Sequence, residues 1–165
     1  MNTYFHTQEK RQVNLIEPIP CTKDNAWLGD AYYFWVDEDD AHFWGVVSKK
    51  RTGEYQIYKA EFSSDKILDT VFNEEHYYFW IKQIEKAAKN FVKKTGIKPS
   101  LKEINDYFVE KGAWSELDGI AFQDISNNPK HFLVKEFQYK KRIQIALYNK
   151  KIISKFTHYL DGVCV

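Results

Sequence analysis

The histidines and cysteines of this sequence are widely separated, so they form no recognisable metal or nucleophile site. The five histidines are His6, His42, His76, His131 and His158. No two of them have the spacing of a metal-binding pair, and the His-Glu-x-x-His pattern and phosphate-binding glycine loops are missing. Cys21 and Cys164 lie 143 positions apart, and the penultimate residue is a poor position for a preorganised nucleophile. These patterns argue against a zinc site, a disulfide framework and a nucleophilic hydrolase.

Positive charge is concentrated near the C-terminus. Residues 130–155 contain eight lysines and arginines and one acid, Glu136, although the whole chain has a net charge of only +1. Two interpretations stay open. The lysines could protect the edge of a sheet from aggregation, or they could bind nucleic acid together with nearby aromatic residues such as Phe137 and Tyr148.

Three short segments and one tryptophan resemble the motifs of a known family, in the same order along the chain. The segments are 4–7 (YFHT), 28–35 (LGDAYYFW) and 143–149 (IQIALYN), and the tryptophan is Trp44, which follows Tyr33 by eleven residues. Together they resemble the ADP-ribosyltransferase-like superfamily, in the branch of diphtheria toxin and the poly(ADP-ribose) polymerases. The resemblance covers the two ends of the chain, and the middle, about 72–115, resembles an insertion of small bacterial relatives.

The resemblance implies an NAD site and a role for each matching residue. His6 would hydrogen-bond the adenosine-side ribose through a ring nitrogen that is free for the ligand. The backbone of Thr7 would pair with the nicotinamide carboxamide, and Gly29 would belong to the NAD-binding segment. Tyr33 and Trp44 would stack on the two faces of the nicotinamide ring. NAD is then a substrate, and no metal is expected.

The sequence departs from the family pattern at two positions. Gln144 stands where the family has a glutamate, which keeps a hydrogen bond but loses the negative charge that stabilises a positive ribose. Ala41 replaces a serine that would bind the carboxamide. Glu136 is our first candidate for a carboxylate that acts beside Gln144, and Asp118 and Glu116 are further candidates.

Two helices are predicted in the middle of the chain. Apolar residues recur at intervals of three and four between Tyr77 and Val92, as in an amphipathic helix, and Gly96 and Pro99 end it. Residues 100–103 (SLKE) form a capping-box pattern that begins a second helix, with Gly112 at its end.

Strands are predicted on both sides of this helical pair. They are segments 4–7, 31–36, 55–62, 120–122, 132–137, 142–148 and 151–156. A short helix capped by Asp40 is predicted to reach Val47. The pattern indicates a single α+β domain over residues 1–165. The resemblance implies two small twisted antiparallel sheets around an NAD cleft, with the helical pair of 75–111 packed outside.

Composition narrows the class of protein. The 165 residues fit one domain, 44% are hydrophobic and 17% are aromatic, which is ample for a core. No apolar run approaches the roughly 20 residues that span a bilayer, and the polar N-terminus lacks the core of a signal peptide. We therefore expect a cytoplasmic protein with no membrane partner.

The resemblance predicts transfer of ADP-ribose from NAD to a macromolecular acceptor, either nucleic acid or protein. Small members of this family commonly act as bacterial toxins or phage-defence effectors, so an antitoxin partner is a further expectation. Two alternatives remain. The chain could be an inactive module that binds NAD or another nucleotide, or it could bind single-stranded nucleic acid through its lysines and aromatic residues.

Overall fold

The helices and most of the strands form where the sequence patterns predict them. The structure, a computed structural model, describes residues 1–124, 133–137 and 140–165. Within these residues the strands are β1 (Asn2–Glu9), β2 (Tyr32–Trp35), β3 (Glu54–Phe62), β4 (Ile67–Asp69), β5 (Gly119–Asp124), β6 (Arg142–Leu147) and β7 (Lys155–Val163). The helices are α1 (Glu38–Ser48), α2 (Glu74–Thr95) and α3 (Leu101–Glu110). The α+β class is thus confirmed.

The described strands form one mixed sheet, in the order β4-β5-β6-β2-β1-β3-β7. Among the described strands, only β4 and β5 pair in parallel. The expectation of two separate antiparallel sheets is therefore wrong, although the sheet has a weak point at its centre. Strands β1 and β3 pair over the whole of β1, whereas β1 and β2 pair only at Phe5 and Trp35. The sheet consequently has two well-paired halves that meet at one residue pair.

Two predicted strands near the C-terminus differ from the structure. In segment 132–137, residue 132 lies outside the described residues, and 133–137 form a turn closed by a bridge between Val134 and Phe137. In segment 151–156, a short 3-10 helix at Lys150–Ile152 precedes β7, which begins only at Lys155. The side chain of Asn149 caps this turn by accepting a hydrogen bond from the Lys151 amide, so a local polar contact prevails over β propensity.

Local capping sets the ends of the helices. Ser100 and Glu103 form the predicted capping box at α3, and Gly96 ends α2 in the left-handed conformation with φ of 71°. Helix α1 is capped by Asp37 rather than by Asp40. Asp40 is instead buried within the helix.

Helices cover one face of the sheet on each side of the weak point. Helix α1 packs through Ala41 on Phe5 and Trp35. Helices α2 and α3 pack on the other half through a cluster that includes Ile104 and Phe108. Within the described residues, no helix has the length and apolar character needed to cross a bilayer.

Candidate functional site

A cleft of about 250 Å³ opens where β1 and β2 stop pairing. Five of the residues named from the resemblance line it: His6, Thr7, Tyr33, Trp44 and Gln144. They come from β1, β2, α1 and β6 and span most of the sequence. The divergence of the two half-sheets thus brings residues of distant segments to one concave surface, and the chain between β1 and β2 forms another wall through Ile19 to Trp27.

His6 bridges the gap between the two half-sheets. Its Nδ1 lies 2.8 Å from the Tyr33 carbonyl oxygen, to which it donates, so a side chain replaces the missing β1–β2 backbone ladder. Its Nε2 accepts from the Gln8 side-chain amide at 3.0 Å and from the Ile19 amide at 3.4 Å. The expectation of a free ring nitrogen is therefore wrong. A ribose hydroxyl that binds Nε2 has to displace both the Gln8 side chain and the Ile19 amide.

Burial keeps His6 neutral. His6 is 3% exposed, and burial is the main cause that lowers its pKa from 6.5 to about 4. The bond to Tyr33 opposes this shift, and the charge of Lys49 adds to it. Between these two pH values, the His6 side chain is therefore protonated in the unfolded chain and neutral in the folded chain.

We expect the free energy of unfolding to fall by up to about 3 kcal/mol as the pH drops from 7 to 4. The His6 contribution is complete above pH 6.5 and is lost as the pH approaches 4. Urea denaturation at several pH values would measure it, with His6→Gln as the comparison, because that variant lacks the titrating group. A variant with the same pH dependence as the natural chain would contradict this role.

Tyr33 is held by its hydroxyl. The hydroxyl donates to the Gly29 carbonyl oxygen at 2.7 Å and accepts from the Leu28 amide at 3.2 Å, so the ring edge is fixed. Burial, the largest cause, raises the pKa of Tyr33 far above its usual value. Gly29 does not line the cleft. It has a positive φ of 82° and packs against Asp106 of α3, so its part is to shape the turn that anchors Tyr33.

Trp44 forms a second aromatic wall on α1. Its ring lies 6.0 Å from that of Trp35, tilted by 51°. Helix α1 is tied to β1 because the Thr7 hydroxyl donates to the Ala41 carbonyl oxygen at 2.9 Å. The side chain of Thr7 is thereby used for structure, which leaves its backbone as the group that can meet a ligand.

Gln144 lies on β6, in the interior of the sheet. It is paired with Trp35 of β2 and with Phe122 of β5. Because directly paired residues share a face, all three side chains point to the cleft, whereas the buried Ile143 and Ile145 point to the opposite face. The Gln144 amide makes no hydrogen bond with any described residue, so it is available to a ligand.

Glu136 does not line the cleft, which corrects our first choice of a carboxylate. It lies in the turn of 133–137, its side chain is 84% exposed, and its nearest charged partner is Lys135 at 3.9 Å. The strands beside β6 are β2 and β5, so a carboxylate on the same face of either strand would lie close to Gln144. Asp118, the second candidate, binds the Asn149 side chain instead.

Asp124 is the carboxylate that the structure brings to the cleft. It ends β5, is paired in register with Arg142, and lies two residues from Phe122 on the same face as Gln144. Its Oδ2 accepts from Arg142 Nη2 at 2.8 Å. Burial raises the pKa of Asp124, and the charge of Arg142 opposes that shift. The Arg142 guanidinium in turn lies over the rings of Trp35 and Phe43.

Two lysines give one side of the cleft a positive charge. Lys23 and Lys49 both line it, and within the described part of the chain neither forms an ion pair. Burial is the main cause that lowers the pKa of Lys49, and the charge of Lys23 lowers it further. A bound anion would relieve this repulsion, so this end of the cleft favours a negatively charged group.

Sequence reasoning missed Trp35, Phe122, Asp124, Lys23 and Lys49. A signal existed for Asp124, because alternation along segment 120–124 places Phe122 and Asp124 on one face. For the lysines there was none, since they lie in a loop and at the end of a helix.

No group of three or more His, Cys, Asp or Glu side chains that could hold a metal ion occurs in residues 1–124, 133–137 and 140–165. Comparison with known proteins finds no matching family model, no matching curated protein and no matching solved structure.

Proposed function

We propose that the cleft binds NAD and that the chain transfers ADP-ribose from it to a macromolecular acceptor. The observation that carries this proposal is the convergence of His6, Thr7, Tyr33, Trp44 and Gln144 on one concave surface, although up to 138 positions separate them in sequence. Unrelated core residues are expected to scatter instead. The motif resemblance suggests the ligand.

The aromatic walls suit a flat ring. Tyr33 is fixed by its hydroxyl, and Trp44 is braced by Trp35, so neither ring has to be ordered on binding. Preordered aromatic faces bind planar groups at a low cost in side-chain entropy. Lys23 and Lys49 would meet the negative pyrophosphate of NAD.

The chemistry requires stabilisation of positive charge on the ribose. The bond from the ribose C1′ to the nicotinamide nitrogen breaks, and its electron pair leaves with nicotinamide. A nucleophilic oxygen or nitrogen of the acceptor then bonds to C1′ and loses its proton. In this proposal, Gln144 hydrogen-bonds the ribose, and Asp124 supplies the negative charge that a glutamine lacks.

We expect Trp44→Ala to weaken NAD binding by about tenfold or more. Stacking of a base or a similar flat ring on one aromatic side chain contributes about 1–3 kcal/mol to the binding free energy. Isothermal calorimetry would measure the affinity, with Tyr107→Ala as a control that removes an exposed ring from α3, away from the cleft.

Labelled NAD mixed with cellular RNA, DNA and protein would identify the acceptor. An absence of NAD binding by the natural chain would refute the proposal.

A second candidate is a module that binds NAD without cleaving it. Gln144 is uncharged, and the one carboxylate among the described residues that line the cleft is already paired with Arg142 at 2.8 Å, which weakens its effect on a developing positive charge. NAD binding without release of nicotinamide would favour this candidate. Release of nicotinamide that depends on Gln144 would exclude it.

A further inference from the structure

Helix α2 carries a row of four lysines on its exposed side. Lys82, Lys86, Lys89 and Lys93 follow one another at intervals of four, three and four residues, which places them on a single face. All four are exposed, and within the described residues none has an ion pair. Between residues 82 and 98 the chain has six lysines and one acid, Glu85. We call the four residues the α2 lysine row.

This row is unfavourable for the isolated helix. Like charges at i,i+3 and i,i+4 repel, and helices that are merely solvated usually alternate lysine with glutamate at these spacings. Glu85 lies about one turn from Lys82 and from Lys89, but within the described residues no carboxylate forms an ion pair with a lysine of the row, so the structure leaves the row available to an external anion.

The basic C-terminal segment, residues 130–155, differs from the α2 lysine row. Within the described residues, five of its seven basic side chains lie within 4.0 Å of a carboxylate, namely Lys135, Lys140, Arg142, Lys150 and Lys155, whereas Lys141 and Lys151 form no ion pair. The partners come from distant segments, as with Lys150 and Glu17 at 2.8 Å. Most of the described positive charge in this stretch is therefore already paired, whereas none of the α2 lysine row is.

Exposed aromatic rings lie at the N-terminal end of the row. Tyr78 is 60% exposed and Phe79 is 48% exposed, about one turn before Lys82. Rings beside a line of positive charge are the combination that binds single-stranded nucleic acid, where bases stack on rings and phosphates contact lysines.

We infer that this face of α2 binds single-stranded nucleic acid, with the α2 lysine row along the phosphates and Tyr78 and Phe79 against the bases. Successive lysines rise by about 4.5 to 6 Å along the helix, so the row extends about 16 Å and can contact several consecutive phosphates. Neither binding nor its test requires the cleft to bind NAD.

Fluorescence anisotropy with a labelled single strand of about 20 nucleotides would test the inference between about 50 and 200 mM salt. Four phosphate contacts predict that log Kobs falls with log salt concentration with a slope of about −3. A variant with Lys82, Lys86, Lys89 and Lys93 all changed to Gln should bind more than about tenfold more weakly at low salt and should have a slope near zero. Tyr78→Ala should weaken binding about fivefold or more.

The matched control changes Lys135, Lys140, Lys150 and Lys155 to Gln, which removes the same charge from positions that are ion-paired. It should keep the affinity within about twofold. The inference is overturned if the natural chain does not bind the strand at low salt or if the control loses as much affinity as the α2 variant. It is also overturned if poly-glutamate or a duplex binds as tightly, because the face would then recognise charge alone.

Discussion

Asp124→Asn is expected to lower the rate of nicotinamide release from NAD by about 100- to 1000-fold, the usual effect of removing one electrostatic group that acts on the transition state. The asparagine keeps an oxygen that can accept from Arg142, so the pairing of β5 with β6 should persist. NAD affinity should change little, because in the proposed reaction the carboxylate would act on charge that develops during bond breaking rather than on bound NAD. Single-turnover measurements beside calorimetry would separate the rate from the affinity.

Glu136→Gln is the matched control, since it removes the carboxylate that the sequence favoured and the structure places outside the cleft. It should leave the rate unchanged. If Glu136→Gln removes activity and Asp124→Asn does not, our assignment of the carboxylate is wrong. If the natural chain binds NAD but releases no nicotinamide, the binding-module candidate replaces the transferase.

Gly45→Ala is expected to lower the free energy of unfolding by about 3 kcal/mol, at the upper end of the usual cost of overpacking. A Cβ at Gly45 on α1 would overlap the Tyr55 ring, and a Cβ at Gly162, which is paired with Tyr55 in β7, would overlap the same ring. The ring is held between these two glycines, so it has little freedom to move aside. Chemical denaturation would measure the loss.

The expected effect of Gly45→Ala on stability changes when the Tyr55 ring is removed. In a Tyr55→Leu background, Gly45→Ala should be neutral or should stabilise the chain by up to about 1 kcal/mol, because alanine is the better helix former. A double-mutant cycle would isolate this coupling. If Gly45→Ala stabilises the natural chain, α1 does not pack on the Tyr55 ring as the structure describes.

The helical pair and the capping of its ends could be read from the sequence because they depend on neighbours in sequence. The three-and-four spacing of Tyr77 to Val92, the left-handed Gly96 and the capping box of Ser100 and Glu103 all act within a few residues. The predicted strand at 151–156 was wrong for a local reason too. The Asn149 side chain accepts a hydrogen bond from the Lys151 amide, and this contact favours a 3-10 turn over the strand that β propensity predicts.

Five of the seven residues named for the site, His6, Thr7, Tyr33, Trp44 and Gln144, line the cleft, because β1, β2, α1 and β6 meet there. The other two, Gly29 and Glu136, lie elsewhere. The Gly29 carbonyl oxygen accepts a hydrogen bond from the Tyr33 hydroxyl, so Gly29 acts through Tyr33. Glu136 is in a turn rather than in a strand beside β6.

The sequence by itself determined the helices, most of the strands and the residue types that one cleft would need. Only the tertiary structure decided that β1 and β2 part after Phe5 and Trp35, that both nitrogens of His6 are engaged, and that Asp124 lines the cleft on the same face of the sheet as Gln144. It also decided which lysines are paired, since Lys150 meets Glu17 across 133 positions whereas the α2 lysine row meets no described carboxylate. The reason is physical: periodicity and capping act over a few residues, whereas strand register and ion pairing join residues that only the folded chain brings together.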